Sequence, residues 1–432
     1  DLPELREMNQ LVRIPPELDV PVTNRVLAVL DTIAMQRLRK ISQLGLVSLV
    51  YPGAVHSRLE HSLGVYRLAC FALRQLAQSE SDIVGSLSVD EIKIYLLASL
   101  LHDVGHWPYC HPIEDMMLPG MFTHEQAARR WIMDDSLASI IQDLWQVEPA
   151  SVADFLTERS KHQSRMLLQN ILNGPVDIDK MDYLQRDSYH AGVPYGRNFD
   201  SARLLSSLRF GSSQAMAITA KGTTAAEMMV FSRYVMFSEV YWHHSVRSAT
   251  AMLQRAVYRL RDQLEFAKLS ELTEADFQRA LLTVSAGTPD VYPLCDGLFG
   301  PRRMLYKRYI QFNYSSSPDA HSQLARRSYG ELVVCSERLG QRLSELVGLS
   351  IGPNDVLIDA PPVKLEIQFR LDVKSGAVLT PLAQVSPVVR ALATDQFDNH
   401  VKMVRVFIAP HLRDRLSISQ SELGKLLLDC AV

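Results

Sequence analysis

Histidine and aspartate recur in this chain in a pattern that suits a metal ion. The segments HSRLEHSLGVYRLA (56–69) and LLHDVGHWPYCHP (100–112) are followed by DIDKMDYLQRD (177–187), and together they supply His61, the adjacent pair His102 and Asp103, and Asp179. Imidazole nitrogens hold borderline metals such as Mn, Fe, Ni and Zn, whereas carboxylates also accept harder ions such as Mg and leave positions open to water and phosphate oxygens. These four side chains therefore make a shell for one divalent ion (Mn, Mg, Fe, Ni or Zn) and point to metal-dependent phosphoryl chemistry. A single His-Asp dipeptide would be a weak signal. Here six of the thirteen histidines (His56, His61, His102, His106, His111 and His124) fall between residues 56 and 124. His56 and His162 suit core or surface roles equally well.

The elements that must position these groups read as helices. Apolar residues recur at helical spacing over residues 24–285, with few strand-like alternations. Ser88 and Glu91 have the spacing of a capping box. The face Ile92, Tyr95, Leu96, Ser99 and Leu100 then predicts a helix that delivers His102 and Asp103 at its C-terminal end, where Gly105 and Pro108 stop it. Neighbouring residues on a helix point about 100° apart, so a site that uses both suits a helix end facing a cavity. His61 opens a second apolar-periodic stretch through Val65, Leu68, Ala69, Ala72 and Leu76. The carboxylates of Asp177, Asp179 and Asp182 cannot all be helix caps, so at least one faces the site. Between Thr223 and Ala286 there is neither Gly nor Pro, which predicts one or two long helices.

After about residue 286 the character changes. Gly, Pro and Ser become frequent, SSSPD (315–319) reads as an exposed turn, and DVLIDAP, KLEIQFRLD and VKMVRVFIAP alternate like strands around the helical-looking VSPVVRALATDQF. The expectation is a mainly α fold, with a helical core over 1–286 and a smaller α+β region over 287–432. A chain of 432 residues that is 47% hydrophobic can bury a large core. The formal charge of −3 argues against a dedicated nucleic-acid binder. The five cysteines lack CxxC spacing, which suggests neither a disulfide framework nor a zinc ribbon. No apolar run approaches the roughly 18–20 residues of a membrane span, and no charged segment leads into an apolar core. A reducing cytoplasm and no membrane partner are the expectation.

The chain resembles the HD-domain deoxynucleoside triphosphate triphosphohydrolases, which include the vertebrate virus-restricting dNTPase and dGTPase-like bacterial enzymes. The likeness runs from about Asp31 to Leu260 and is carried by QRLRKISQLGLVSLVYPGAVHSRLEHSLGVYRLA, LLHDVGHWPYCHPIE, THEQA and DIDKMDYLQRDSYHAGV. It implies an HD helical core, with His61, His102, Asp103 and Asp179 as metal ligands. It places His106, His111 and His124 near the scissile phosphate, with Glu114 where relatives often have aspartate. It assigns Arg58, Lys180 and Arg233 to the triphosphate, Gln43 and Leu44 to the deoxyribose edge, and Tyr183, Asp187 and Tyr241 to a sugar pocket that excludes a 2′-hydroxyl. The implied reaction is hydrolysis of a deoxynucleoside triphosphate to deoxynucleoside and tripolyphosphate, with a protonated His111, oriented by Glu114, donating to the departing 5′-oxygen.

The resemblance also implies a homo-oligomer, dimer or tetramer. Asp31, Gln36 and Arg39 match positions that recognise an allosteric nucleotide in some relatives, although MNQLVRIPPEL departs from the Asp-Pro-x-His-Gly pattern that completes that site. The competing expectations are an HD-superfamily phosphohydrolase acting on a monophosphate, cyclic nucleotide or alarmone, a nuclease, and a non-catalytic nucleotide-binding regulator.

Overall fold

Backbone pairing begins with a hairpin, β1 (Leu11–Ile14) and β2 (Leu18–Pro21), in which Leu11 opposes Pro21 and Ile14 opposes Leu18. It is part of a computed structural model that describes residues 2–6, 10–210, 216–315, 317–325, 327–361, 371–376, 378–392 and 401–431. Two short helices follow, α1 (Asn24–Leu30) and α2 (Ile33–Leu38). Each is opened by a threonine, Thr23 or Thr32, whose hydroxyl oxygen accepts from a backbone N–H in the first turn.

Three further helices and two short ones carry the chemistry. The long α3 (Arg58–Ser79) is capped by Ser57 and buries His61 along with Leu59, Leu63, Val65, Leu68, Ala69, Ala72 and Leu76. The capping box expected at Ser88 and Glu91 opens α4 (Val89–Leu101), and His102 is its C-cap. A turn leads into α5 (Cys110–Glu114), and a second capping box, Thr123 with Gln126, opens α6 (His124–Ile132). Asp177 caps α7 (Ile178–Ala191), and Gly192 ends it in the left-handed conformation. Helix α3 packs against both α4 and α7.

The stretch after Thr223 forms two long helices, as expected, with an irregular turn between them. Helix α8 (Thr223–Met236) widens into a π-type turn over Phe237–Tyr241, and α9 (His244–Leu260) starts afresh after Trp242 and His243. Two shorter helices, Phe266–Leu269 and Glu274–Ser285, complete it. The π turn brings Tyr241 to α7, where its hydroxyl donates to Asp187, so a tertiary hydrogen bond accompanies the irregularity.

Strands within the first 286 residues also exceed the expectation. Besides the hairpin, β3 (Leu208–Phe210) and β4 (Met216–Thr219) pair, and β4 lies parallel to β7 (Asp372–Ser375), which pairs with β8 (Val378–Pro381). A second sheet has the order β5 (Lys307–Phe312), β9 (Val404–Ile408), β6 (Val356–Asp359), all antiparallel with β9 in the centre. DVLIDAP and VKMVRVFIAP thus supply strands as expected. The strand expected over KLEIQFRLD lies mostly outside the described residues, as does the C-terminal part of VSPVVRALATDQF; its Pro387–Ala391 is helical. In SSSPD, Pro318 opens a helix to Leu324. The mainly α class with a smaller α+β region is the fold observed.

The buried residues form two large cores. One draws on α1 to α4, α7, α8 and residues 371–392. The other draws on α9, the helices after it, the β5-β9-β6 sheet, and two C-terminal helices, Tyr329–Val347 and Gln420–Cys430. Among the described residues no helix is long and apolar enough to cross a membrane. All five cysteines are free and buried.

Candidate functional site

Helix α3 presents His61 one turn from its N-terminus, α4 ends at His102 and Asp103, and α7 carries Asp179 in its first turn. The three helix ends meet. His61 Nε2 lies 3.1 Å from His102 Nε2 and 3.0 Å from Asp179 Oδ1. His102 Nε2 is 3.6 Å from both Asp179 Oδ1 and Asp103 Oδ1. Ligands held roughly 2.0–2.2 Å from one ion stand roughly 3–3.6 Å from each other, which is the spread seen.

The hydrogen bonds around this cluster settle which nitrogen carries a lone pair. His102 Nδ1 faces the Ser99 carbonyl at 3.0 Å, and a carbonyl only accepts, so Nδ1 holds the proton. His61 Nδ1 faces Asp182 Oδ2 at 2.9 Å, with the same result. The neutral rings would therefore aim two acceptor nitrogens and two carboxylates at one point with no donor between them, an arrangement that calls for a cation. Burial opposes protonation of His61, but Asp179, Asp182 and Asp103 together hold its pKa up at about 10. His102 is raised too, against its burial, by Asp103 and Asp179. Asp103 is held well below the usual carboxylate range, against burial, by its neighbours His106, Arg58 and His102. The residues present fit a divalent metal.

Behind His61 runs a polar network that sequence reading did not resolve. Asp182 accepts from Arg186 through both oxygens at 2.8 Å. Arg186 also donates to Glu60 at 2.7 Å and to the Pro15 carbonyl at 2.9 Å. Glu60 meets His190 Nε2 at 2.8 Å. The His190 ring stacks on His56, centroids 4.4 Å apart, and His56 Nε2 reaches Asp187 Oδ1 at 2.9 Å. Asp187 then accepts from the Tyr241 hydroxyl at 2.6 Å. The spacing of Asp182, Arg186 and His190 was a visible signal, since i, i+4 residues share a helix face.

The second group of expected residues lines the other side of Asp103. Arg58, buried at the start of α3, donates from Nη1 to Asp103 Oδ2 at 2.8 Å. His106 is buried, with Nδ1 3.1 Å from Asp103 Oδ1. His106, His111 and His124 gather with ring centroids 4.3 to 5.5 Å apart. Glu114 bonds to His124 rather than to His111: its oxygens accept from the His124 backbone N–H at 2.5 Å and lie 2.8 Å from His124 Nδ1. His111 touches solvent yet is enclosed by protein on most sides, and that enclosure, with the charges of Arg58 and His124, lowers its pKa to about 4. Burial and the charge of Arg58 lower His106 as well. At rest these two imidazoles are neutral.

The remaining residues occupy the surrounding walls. Gln43 and Leu44 sit in the turn before α3, where the Gln43 N–H bonds to the His56 carbonyl and its side-chain oxygen is buried without a partner. Lys180 donates to Asp177 at 2.5 Å and to the Gly174 carbonyl at 3.2 Å. Tyr183 packs against the first core, and Arg233 lies over the Phe237 ring. Burial, with Asp187 beside it, pushes the Tyr241 hydroxyl well above its ordinary pKa. Asp31, Gln36 and Arg39 lie apart at the ends and face of α1 and α2, where the Gln36 amide donates to the Leu30 carbonyl.

Comparison with known proteins decides the family. Residues 199–423, just over half the chain, match the family model described as HD associated region. The chain belongs to the HD associated region family. Among its relatives, this family member is 35% identical to the uncharacterised protein YwfO of Bacillus subtilis over 53% of its own length and 51% of that protein's. It is 29% identical to a protein of Dictyostelium discoideum named as a deoxynucleoside triphosphate triphosphohydrolase SAMHD1 homolog, over 59% of this chain and 49% of that one. The chain thus spans about half the length of these two curated relatives. Among solved structures, a hypothetical protein of Aquifex aeolicus superposes with a TM-score of 0.72 at 26% identity, over 96% of this chain and 99% of that one.

Proposed function

We propose that this HD associated region protein is a metal-dependent phosphohydrolase, and that its substrates are deoxynucleoside triphosphates, cleaved to deoxynucleoside and tripolyphosphate. The observation that carries the reading is the convergence of His61, His102 and Asp103, with Asp179 3.0 Å from His61, beside a guanidinium and three histidines. The named activity of the Dictyostelium relative supports the substrate class.

The metal, when bound by those four residues, would polarise a phosphoryl oxygen and lower the pKa of water. Everything else falls to side chains. A triphosphate carries close to four negative charges and needs several fixed donors. Arg58 would meet the phosphate, tethered by one nitrogen to Asp103, and Lys180 and Arg233 would add positive charge once turned from Asp177 and the Phe237 ring. Arrival of that negative charge reverses the field that Arg58 imposes on His111. His111 then takes up a proton and gives it to the 5′-oxygen as the bond from oxygen to the α-phosphorus breaks and water's oxygen bonds to phosphorus. Glu114 orients His124 against the phosphate, with His106 beside it. Asp187, held on both oxygens by His56 and Tyr241, offers a fixed acceptor to the 3′-hydroxyl, and Tyr241 with Tyr183 crowds the 2′ position. Gln43 and Leu44 border the sugar.

The test is incubation of metal-stripped protein with each dNTP and with GTP, with and without Mn or Mg, resolving products by chromatography. Tripolyphosphate with deoxynucleoside is the expected result. Monophosphate or cyclic-nucleotide cleavage, with dNTPs untouched singly and in mixtures, would keep the metal site and reject the substrate. We also propose self-association as dimer or tetramer, checked by light scattering, and an effector nucleotide at Asp31, Gln36 and Arg39, checked by activation in dNTP mixtures.

A further inference from the structure

His106, His111 and His124 share their space with a fourth side chain that the hydrolytic reading leaves idle. Cys110, buried at the start of α5, brings a thiol into the group, and one ligand atom from each of the four residues lies within 4.8 Å of all the others. A thiol offers phosphate only a weak donor and, ionised, repels it. To a soft divalent cation it is a strong ligand.

The histidines are arranged as metal ligands commonly are. A carboxylate that holds one ring nitrogen fixes the ring and leaves the other nitrogen to the metal. Glu114 Oε2 does this for His124 Nδ1 at 2.8 Å. Asp103 Oδ1 stands 3.1 Å from His106 Nδ1, which is buried and makes no aligned hydrogen bond. The Glu125 carboxylate, 3.4 Å from His124 Nε2, adds negative charge at the rim. His111, open to solvent, supplies an entry side.

We propose that His106, Cys110, His111 and His124 form a second metal site, for a thiophilic divalent cation of the zinc type, distinct from the position built by His61, His102, Asp103 and Asp179, and inhibitory, because a cation there engages the His111 that the hydrolytic reading uses as acid. As the metal–sulfur bond forms, the Cys110 thiol releases its proton to solvent. The four ligands close in by about 1 Å to reach tetrahedral spacing, roughly 2.3 Å for sulfur and 2.0–2.1 Å for nitrogen. The two positions share Asp103 as a neighbour, one rich in carboxylate and the other in imidazole and thiol.

Cobalt(II) reports this directly, because a thiolate ligand adds an intense near-ultraviolet charge-transfer band that nitrogen and oxygen ligands do not. Metal-stripped protein titrated with cobalt should bind two equivalents, with the band present at saturation. Cys110→Ser, which keeps the shape of the side chain, should bind one equivalent without the band. Asp179→Ala, disabled at the first position, should keep the band. Absence of the band in the wild type, its persistence in Cys110→Ser, or its loss in a folded Asp179→Ala protein would each overturn the proposal. If Asp179→Ala does not fold, the cobalt count in wild type against Cys110→Ser decides: two against one supports the second site, and equal counts reject it. The Asp179→Ala arm separates failure here from failure of the first metal position.

Discussion

At His61 both ring nitrogens are committed, one to Asp182 and the other to the point shared with His102 and Asp179. Replacing His102 or Asp103 with alanine removes a donor outright, and we expect loss of both bound metal, counted by mass spectrometry, and turnover. Asp182→Asn keeps the shape but takes away the charge behind His61. Outer partners of this kind are worth roughly 10–100-fold in metal affinity, so calorimetry should show weaker manganese binding with the fold intact; unaltered affinity would remove Asp182 from the account. Protons compete for the same place. His61 in the metal-free chain keeps its proton up to about 10, so at neutral pH metal uptake expels a proton, and affinity should fall as the solution is acidified. Titration in two buffers of different ionisation enthalpy measures that proton, and heats independent of buffer would contradict it.

Two glycines let the elements come close enough for these contacts. A Cβ on Gly64 would overlap the Asp182 carboxylate and the Arg186 guanidinium, and a Cβ on Gly105 would overlap the backbone of α6 at His124 and Ala128. Gly64→Ala should therefore part α3 from α7 and weaken metal binding. Gly105→Ala should displace α6 and spare the metal while lowering turnover; the reverse pattern would show that the two helices had been assigned the wrong duties. How much of this could be read from residues follows from range. The Ser88 and Glu91 box and the delivery of His102 and Asp103 at a helix end are local, and both were legible. Of the three aspartates on α7, Asp177 is the cap, Asp179 faces the histidines and Asp182 stands behind one of them, a division that the sequence could only announce. The choice of Glu114 for His124, the chain from Arg186 to His190, and the pairing of β4 with β7 join residues that only tertiary folding brings together. The π turn before Trp242 was hidden because no Gly or Pro marks it.

Across the whole molecule, α9 carries the link between the helices around His61 and the terminal sheet. Arg247, in its first turn, makes a bidentate buried pair with Asp359 at the end of β6, at 2.6 and 3.0 Å. Removing one partner of such a pair typically costs about 3–5 kcal/mol. Arg247→Ala should lower the unfolding free energy by that order, and a loss below about 1 kcal/mol would show that Arg405, opposite Asp359 on β9, takes over the pairing. The arrangement also bears on how the polypeptide is made. The apolar side of α9 is complete by Leu260, but its sheet is organised around β9, whose last residue is Ile408. At roughly 5–20 residues per second of synthesis, the interval is roughly 7 to 30 s. Until β9 arrives the nascent chain displays Leu253, Ala256, Val257 and Leu260 without their final covering, joined by the unpaired edges of β5 and then of β6 as those strands are made. Biogenesis of this protein is therefore a problem of timing, in which a strand made late closes what a helix roughly 150 residues earlier had left open.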